Sequence, residues 1–279
     1  MEREVRSTDQ WGRVLWLWNE HVEVGIALEF GIRVVHLSYP GMENLCYVQP
    51  NDLTDGFCNS NGWRIYGGHR VFMSPEGSLS YNADNDPVQC AAGKNIVLVE
   101  QETDYALNIR KKLRLTFEDD GSVKIENIIE NAGSRQLEGA TWGVNTLAGG
   151  GKAEIAFEGN AVGNCIPKRI VSLWADTNIA DPRIRFTKDK LYAEHDSNNH
   201  DYFKLGLYCD PGKAVYENKG QRLTISFDAP PIETLSDNGC NFELYICDKF
   251  MELETLGKKF SLQRGESASH TEIWKVSKT

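Results

Sequence analysis

The feature that most constrains this chain is a two-residue alternation of apolar side chains, repeated in short runs and broken by turn residues. "HVEVGIALEF" places Val22, Val24, Ile26 and Leu28 on one face, and "RLTISFD" does the same with Leu223, Ile225 and Phe227. Successive side chains of a strand point to opposite faces, so these runs describe half-buried strands. "ALNIRKKLRLTFEDDGSVKIEN" predicts a hairpin with a two-residue turn at Asp120-Gly121, and "VYENKGQRLTISF" one at Lys219-Gly220. Pro40-Gly41, Pro211-Gly212 and Pro230-Pro231 supply further breaks. Helical periodicity is scarce, and even "KNIVLVEQETDYALNI" reads as strand, turn, strand. Many short strands with few or no helices argue for an all-β sandwich or barrel. The 279 residues contain no linker, internal repeat or low-complexity tract, so residues 1–279 are expected to form one domain.

Charge narrows the partners. The chain carries 30 basic and 40 acidic residues, a net charge of −10, with no basic run. Nucleic acid and anionic membrane both demand a positive footprint, so neither is expected as a partner. The seven cysteines, at 46, 58, 90, 165, 209, 240 and 247, show no CxxC spacing and read as small buried apolar fillers in a reducing compartment. "VLWLW" is too short for a signal-peptide core and no run reaches membrane-spanning length, so a cytoplasmic protein is expected. Oligomeric state has no readable signal.

Three stretches could carry chemistry. In "YGGHRVF", alternation puts Tyr66, Gly68, Arg70 and Phe72 on one face and Gly67, His69 and Val71 on the other. A guanidinium beside aromatic rings, above a glycine, suits a flat polyol; His69, sharing a face with Val71, reads as a core histidine unless a bulge at the glycines reverses the phase. In "KFMELETLGKK", Glu252 and Glu254 share one face while Met251 and Leu253 take the other. Two carboxylates in a partly dry cleft repel, so one can hold a proton near neutral pH; on a solvated face the pair would do nothing. "EHDSNNHDYF" gathers His195, Asp196, His200 and Asp201, but its spacing fits no standard zinc pattern and a polar loop explains it, so no metal is expected.

Taken in order, "GIRVVHLSYPGMENLCYV", "GGHRVFMSPEG" with "YNADNDPVQ", "IIENAGSRQLEGATWGVNTLAGGG" and the closing "FELYICDKFMELETLGKKFSLQRGESASHTEIWKV" resemble the galactose-mutarotase-like (aldose 1-epimerase-like) superfamily. The likeness spans nearly the whole chain and is strongest to an uncharacterised bacterial subfamily with a GGHR…PE element and a terminal E-L-E-T strand. It implies a β-supersandwich that binds a small carbohydrate. In such epimerases a glutamate near the C-terminus takes the anomeric proton and a histidine protonates the ring oxygen, with no cofactor. By position Glu254 matches the glutamate, with Glu252 as the alternative, and Arg70 matches the arginine that holds sugar hydroxyls. Where the mid-chain histidine is expected stand Trp142 and Asn145, and His69 could replace it only by facing the pocket. Glu76 is a candidate rim contact, and Asp181, Arg183 and Lys204 are charges that could reach the cleft. The resemblance implies an epimerase-like isomerase; a non-catalytic saccharide-binding protein and a lyase or hydrolase of acidic sugars remain alternatives.

Overall fold

The computed structural model describes residues 1–50, 58, 62–157 and 169–279. Among them, antiparallel strands form two ten-stranded sheets, and the only helical turns are short 3-10 segments at Ser78–Tyr81 and Ile232–Thr234. The protein is all-β.

The first sheet contains β1 (Glu2–Thr8), β2 (Gly12–Trp18), β3 (Glu23–Ala27), β4 (Arg33–Ser38) and β5 (Gly68–Ser74). The chain then enters the second sheet with β6 (Gln89–Ala92), β7 (Ile96–Glu100), β8 (Ile109–Phe117) and β9 (Val123–Asn131). β10 (Leu137–Ala148) returns to the first sheet, and β11 (Lys152–Ala156) lies in the second. β12 (Val171–Leu173) and β15 (Phe203–Leu207) belong to the first, while β13 (Ile184–Phe186), β14 (Lys190–Glu194), β16 (Lys213–Asn218) and β17 (Gln221–Phe227) belong to the second. β18 (Phe242–Ile246) and β19 (Phe250–Leu262) complete the first sheet and β20 (Ser267–Lys278) the second. The spatial orders are β1-β2-β3-β4-β5-β10-β19-β18-β15-β12 and β13-β14-β11-β16-β17-β20-β9-β8-β7-β6.

Alternation dictates how the sheets meet. β8 and β9 bury every second residue along their whole length, and Leu113, Leu115, Ile125 and Ile129 join Val24, Ile26, Leu244, Met251 and Leu253 in one core between the sheets. β10 differs: eight consecutive residues, Ala140 to Leu147, are buried, because both of its faces are covered. One face lies against the second sheet and the other lines a pocket.

The Lys219-Gly220 turn has two central residues, both with positive φ (51° and 70°), joining paired Asn218 and Gln221. That is the mirror-image turn whose twist suits a hairpin. The other hairpin is one residue longer than expected. Glu118 N donates to Ser122 O, leaving Asp119, Asp120 and Gly121 in the loop, with Gly121 supplying the left-handed residue that closes it (φ 80°). Of the cysteines, 46, 209, 240 and 247 are buried, 58 is partly buried and 90 is exposed; Cys165 lies outside the described residues. No helix among the described residues is long and apolar enough to cross a membrane.

Candidate functional site

Five neighbouring strands of the first sheet build a pocket of about 500 Å³. The register explains the convergence. Arg70 (β5) pairs with Val144 (β10), Val144 with Glu254 (β19), and Glu254 with Glu243 (β18), so these four form one row across the sheet. The next row runs Gly68, Thr146, Glu252, Tyr245, Lys204. Residues two apart on a strand share a face, which adds Phe72 beside Arg70 and Trp142 beside Val144. Trp63, Tyr81, Tyr245 and Phe250 complete aromatic walls, and Glu76 stands at the rim.

Of the residues singled out in the sequence, Arg70, Phe72, Glu76, Trp142, Lys204, Glu252 and Glu254 line this pocket. His69, Asn145 and Tyr66 do not. His69 points between the sheets, where Nδ1 lies 2.9 Å from Asn145 Oδ1 and Nε2 lies 2.8 Å from Asn127 Oδ1, so both ring nitrogens are engaged away from the pocket. Asn145 donates on the same side to Leu253 O (3.0 Å) and to Glu272 (3.2 and 3.3 Å). Tyr66 falls out of phase because Tyr66, Gly67 and Gly68 all have positive φ, and the strand begins only at Gly68. Its ring stacks on Phe30, centroids 4.2 Å apart, beneath the Arg33 guanidinium. Nor do the two glycines clear space for a ligand. A Cβ at Gly67 would fall on the carbonyl of Tyr47 and one at Gly68 on that of Val34, so close backbone approach, with left-handed φ, requires them.

Asp181 and Arg183 pair with each other (2.7 Å), and Arg183 Nη2 donates to Asp201 O, away from the pocket. His195 Nδ1 accepts from Gly150 N (3.0 Å), and His200 Nδ1 lies 3.0 Å from Asp248. Among the described residues no group of three or more His, Cys, Asp or Glu side chains is arranged to hold a metal ion.

Two charge clusters shape the pocket. At one end Asp84, from the loop after β5, takes both Arg33 guanidinium nitrogens (2.7 and 3.2 Å), Arg70 Nη2 (3.2 Å) and Lys111 Nζ (3.7 Å). Burial alone would raise the Asp84 carboxyl, but the three cations hold it well below the usual carboxylate range. The Arg70 guanidinium is stacked on Phe72, 4.1 Å from ring centre to Cζ, and packs near Trp63. At the other end Lys204 Nζ meets Glu243 (3.0 Å), Glu76 (3.3 Å) and Glu254 (3.4 Å), over the faces of Trp142 and Trp174. Burial would lower its pKa, but Glu254, Glu243 and Glu76 hold the ammonium well above the usual lysine range. Burial lifts Glu254 well above the ordinary carboxyl value against the pull of Lys204, and pushes Glu243 up to about 7. Glu252 is raised as well, but Thr146 Oγ1 donates to it (2.6 Å), and Lys204 and Arg70 favour its charged form.

The buried polar atoms of Arg70, Trp142 and Glu254 in this pocket that have no protein partner are Arg70 Nε and Nη1, Trp142 Nε1 and Glu254 Oε1. Three donors and one acceptor, all desolvated, are a costly arrangement unless a ligand engages them. Sequence reasoning missed Glu243 and Asp84. Glu243 and Tyr245 alternate with Phe242, Leu244 and Ile246 in "FELYI", the same signal that marked Glu252 and Glu254 in "FMELET". Asp84 had no such mark.

Behind the pocket lies a second polar cluster, between the sheets. Glu272 of β20 accepts from Asn145, Trp274 Nε1 (2.6 Å) and Thr255 Oγ1, and His270 Nε2 lies 2.8 Å from Thr255 Oγ1. Gly143 makes room for it: a Cβ there would stand 2.5 Å from Glu272 Oε1 and 2.9 Å from Asn127 Nδ2.

No family model matches the sequence, and no curated protein matches it. Solved structures do. A galactose mutarotase-like protein from Lactobacillus casei ATCC 334 is similar with a TM-score of 0.61 and 11% identity, over 95% of this chain and 100% of that one. A galactose 1-epimerase from Lactobacillus acidophilus NCFM gives 0.57 and 11%, over 99% of both chains. A putative aldose 1-epimerase from Escherichia coli K12 gives 0.56 and 11%, over 95% and 99%. At such identities the likeness is one of architecture, and the two-sheet, all-β chain described above has the galactose mutarotase-like fold.

Proposed function

We propose that the pocket binds a small, neutral sugar and that the protein exchanges its anomers by carboxyl acid–base chemistry. The observation that carries this reading is that Arg70, Trp142, Glu252 and Glu254, from three strands, line one pocket, and that Arg70, Trp142 and Glu254 bring buried polar atoms without a protein partner. Similarity to structures described as mutarotase-like and aldose 1-epimerase proteins supports it. Aromatic walls suit the C–H faces of a sugar ring, and the free Arg70 nitrogens suit its hydroxyl oxygens.

Environment sorts the two glutamates, because unequal surroundings push a pair of titratable groups toward opposite roles. Glu252, with Thr146 donating to it and Arg70 nearby, is the better-supported carboxylate. Glu254, more deeply buried and with a free Oε1, is the better proton holder. That exchanges the base role expected for Glu254 with its neighbour. Glu252 accepts the anomeric hydroxyl proton while Glu254 gives its proton to the ring oxygen. The bond from the anomeric carbon to the ring oxygen breaks and an open-chain aldehyde forms. After rotation about the adjacent C–C bond the hydroxyl attacks the other face of the carbonyl. Its proton returns to Glu254, and Glu252 protonates the new anomeric oxygen. Each carboxyl ends as it began.

Saturation-transfer NMR on a series of aldoses tests this. Glu252→Gln and Glu254→Gln should each bring anomer exchange down to the buffer rate while calorimetry still detects sugar binding; undiminished exchange in either variant would sink the assignment. A second reading, a saccharide-binding protein without catalysis, is favoured by one observation: among the described residues no histidine lines the pocket. It predicts calorimetric binding with wild-type exchange at the buffer rate.

A further inference from the structure

Among the described residues Lys204 is the one cation that touches Glu254, yet it is oversubscribed. An ammonium has three N–H donors, and the three carboxylates of Glu243, Glu76 and Glu254 lie at 3.0, 3.3 and 3.4 Å. No donor is left over for a ligand. The shortest contact goes to Glu243, which is buried and sits directly across from Glu254 in the β18–β19 pairing. Glu243 does not line the main pocket. It faces a side cavity of about 100 Å³ shared with Asp237 and Trp174, behind the lysine.

We propose that Glu243 is a positioning residue for the Glu254 proton: by drawing the Lys204 ammonium toward the side cavity, it keeps Glu254 from being fully ion-paired and leaves Oε1 as a carboxyl donor facing the pocket. This rests on the acid role given to Glu254 above. The groups facing Glu254 are consistent with it. Lys204 on β15 favours its charged form, whereas Glu243 on β18, Glu252 on its own strand and Glu76 beyond β5 oppose that form. Arg70 on β5, in the same cross-strand row, is tied to Asp84. Asp237, which accepts from Ser74 Oγ at 2.6 Å, adds a negative charge beside Glu243 that opposes the charged form of Glu243 and also attracts the Lys204 ammonium toward the side cavity.

The test follows the Glu254 carboxyl directly, by carbon NMR of protein labelled at the glutamate side-chain carbonyl, with the Glu254→Gln spectrum as the assignment control. Glu243→Gln frees Lys204 for Glu254 and should move the Glu254 titration down by about one pH unit or more. Lys204→Met should move it up by a similar amount, and the double variant should return it toward the wild-type position. Glu243→Asp should restore most of the Glu243→Gln displacement. A purely structural role would not give opposite, cancelling shifts; displacements in the same direction, or none, would overturn the proposal. The same variants are assayed for anomer exchange, which should move its acid-side limb with the titration. If wild-type exchange stays at the buffer rate while the opposite shifts persist, the catalytic reading fails and the charge coupling stands. If exchange needs Glu254 but its titration ignores Glu243, this inference alone fails.

Discussion

Two buried polar clusters lie on opposite faces of the same strands, and they are built to different rules. Between the sheets, His69, Asn145, Thr255, His270, Glu272 and Trp274 satisfy one another, and of this cluster's side chains only Asn127 Nδ2 lacks a partner. In the pocket, Arg70, Trp142 and Glu254 keep four polar atoms unpartnered, and a single lysine is shared by three carboxylates. The first cluster spends its polarity on joining two sheets. The second leaves it unspent, at a cost in stability. Hydrogen-bond completeness, more than burial or residue type, separates the structural face from the candidate working face. It also explains why the histidine of "GGHR" belongs to the scaffold.

The contrast can be broken in order of expected effect. Glu272→Ala should cost about 3–5 kcal/mol in denaturant unfolding, because it strands three buried donors, and should leave sugar binding per folded molecule unchanged. Glu254→Gln should do the reverse: exchange falls by about 10²–10⁴-fold, the range a positioned acid supplies, with little loss of stability.

The two faces should also answer oppositely to pH. The folded pKa of Glu243 is raised to about 7, so the folded state binds more protons than the unfolded chain between roughly pH 4.5 and 7. Its contribution therefore grows as pH falls through that window. His270 is buried and its pKa lowered, so its contribution is intact above the usual histidine pKa and declines as pH drops below it. Unfolding curves of Glu243→Gln and His270→Asn against wild type should diverge in opposite directions on acidification. Smallest of all, Thr146→Val removes one hydrogen bond from Glu252; it should cost about 1 kcal/mol and raise the pH at which exchange reaches half its maximum by less than about one unit.

The strands were legible because alternation is a local property, and Glu252, Glu254, Met251 and Leu253 sorted to their faces as the period requires. Phase was harder where local conformation resets it. Three successive positive-φ residues, Tyr66 to Gly68, moved Tyr66 off the face it would share with Arg70 in an unbroken strand. β10, buried on both sides, gives no polar marker of phase, so Trp142 and Asn145 could not be told apart as pocket residues. Glu243 and Asp84 entered the site through pairings with residues 11 and 14 or more positions away, contacts no sequence window contains. Distant strand pairing, more than side-chain chemistry, hid the rest of the site.

Gly143 carries a consequence for how this site can vary. It sits between Trp142 and Val144, yet any side chain there would collide with Glu272 on the far side of the sheet. In a library of all single substitutions it should be as intolerant as the pocket glutamates while touching no ligand. Its neighbours are free of that constraint. Substitutions can therefore be explored at positions 142 and 144, one residue to either side of a position where any side chain must displace the hydrogen-bonded Glu272.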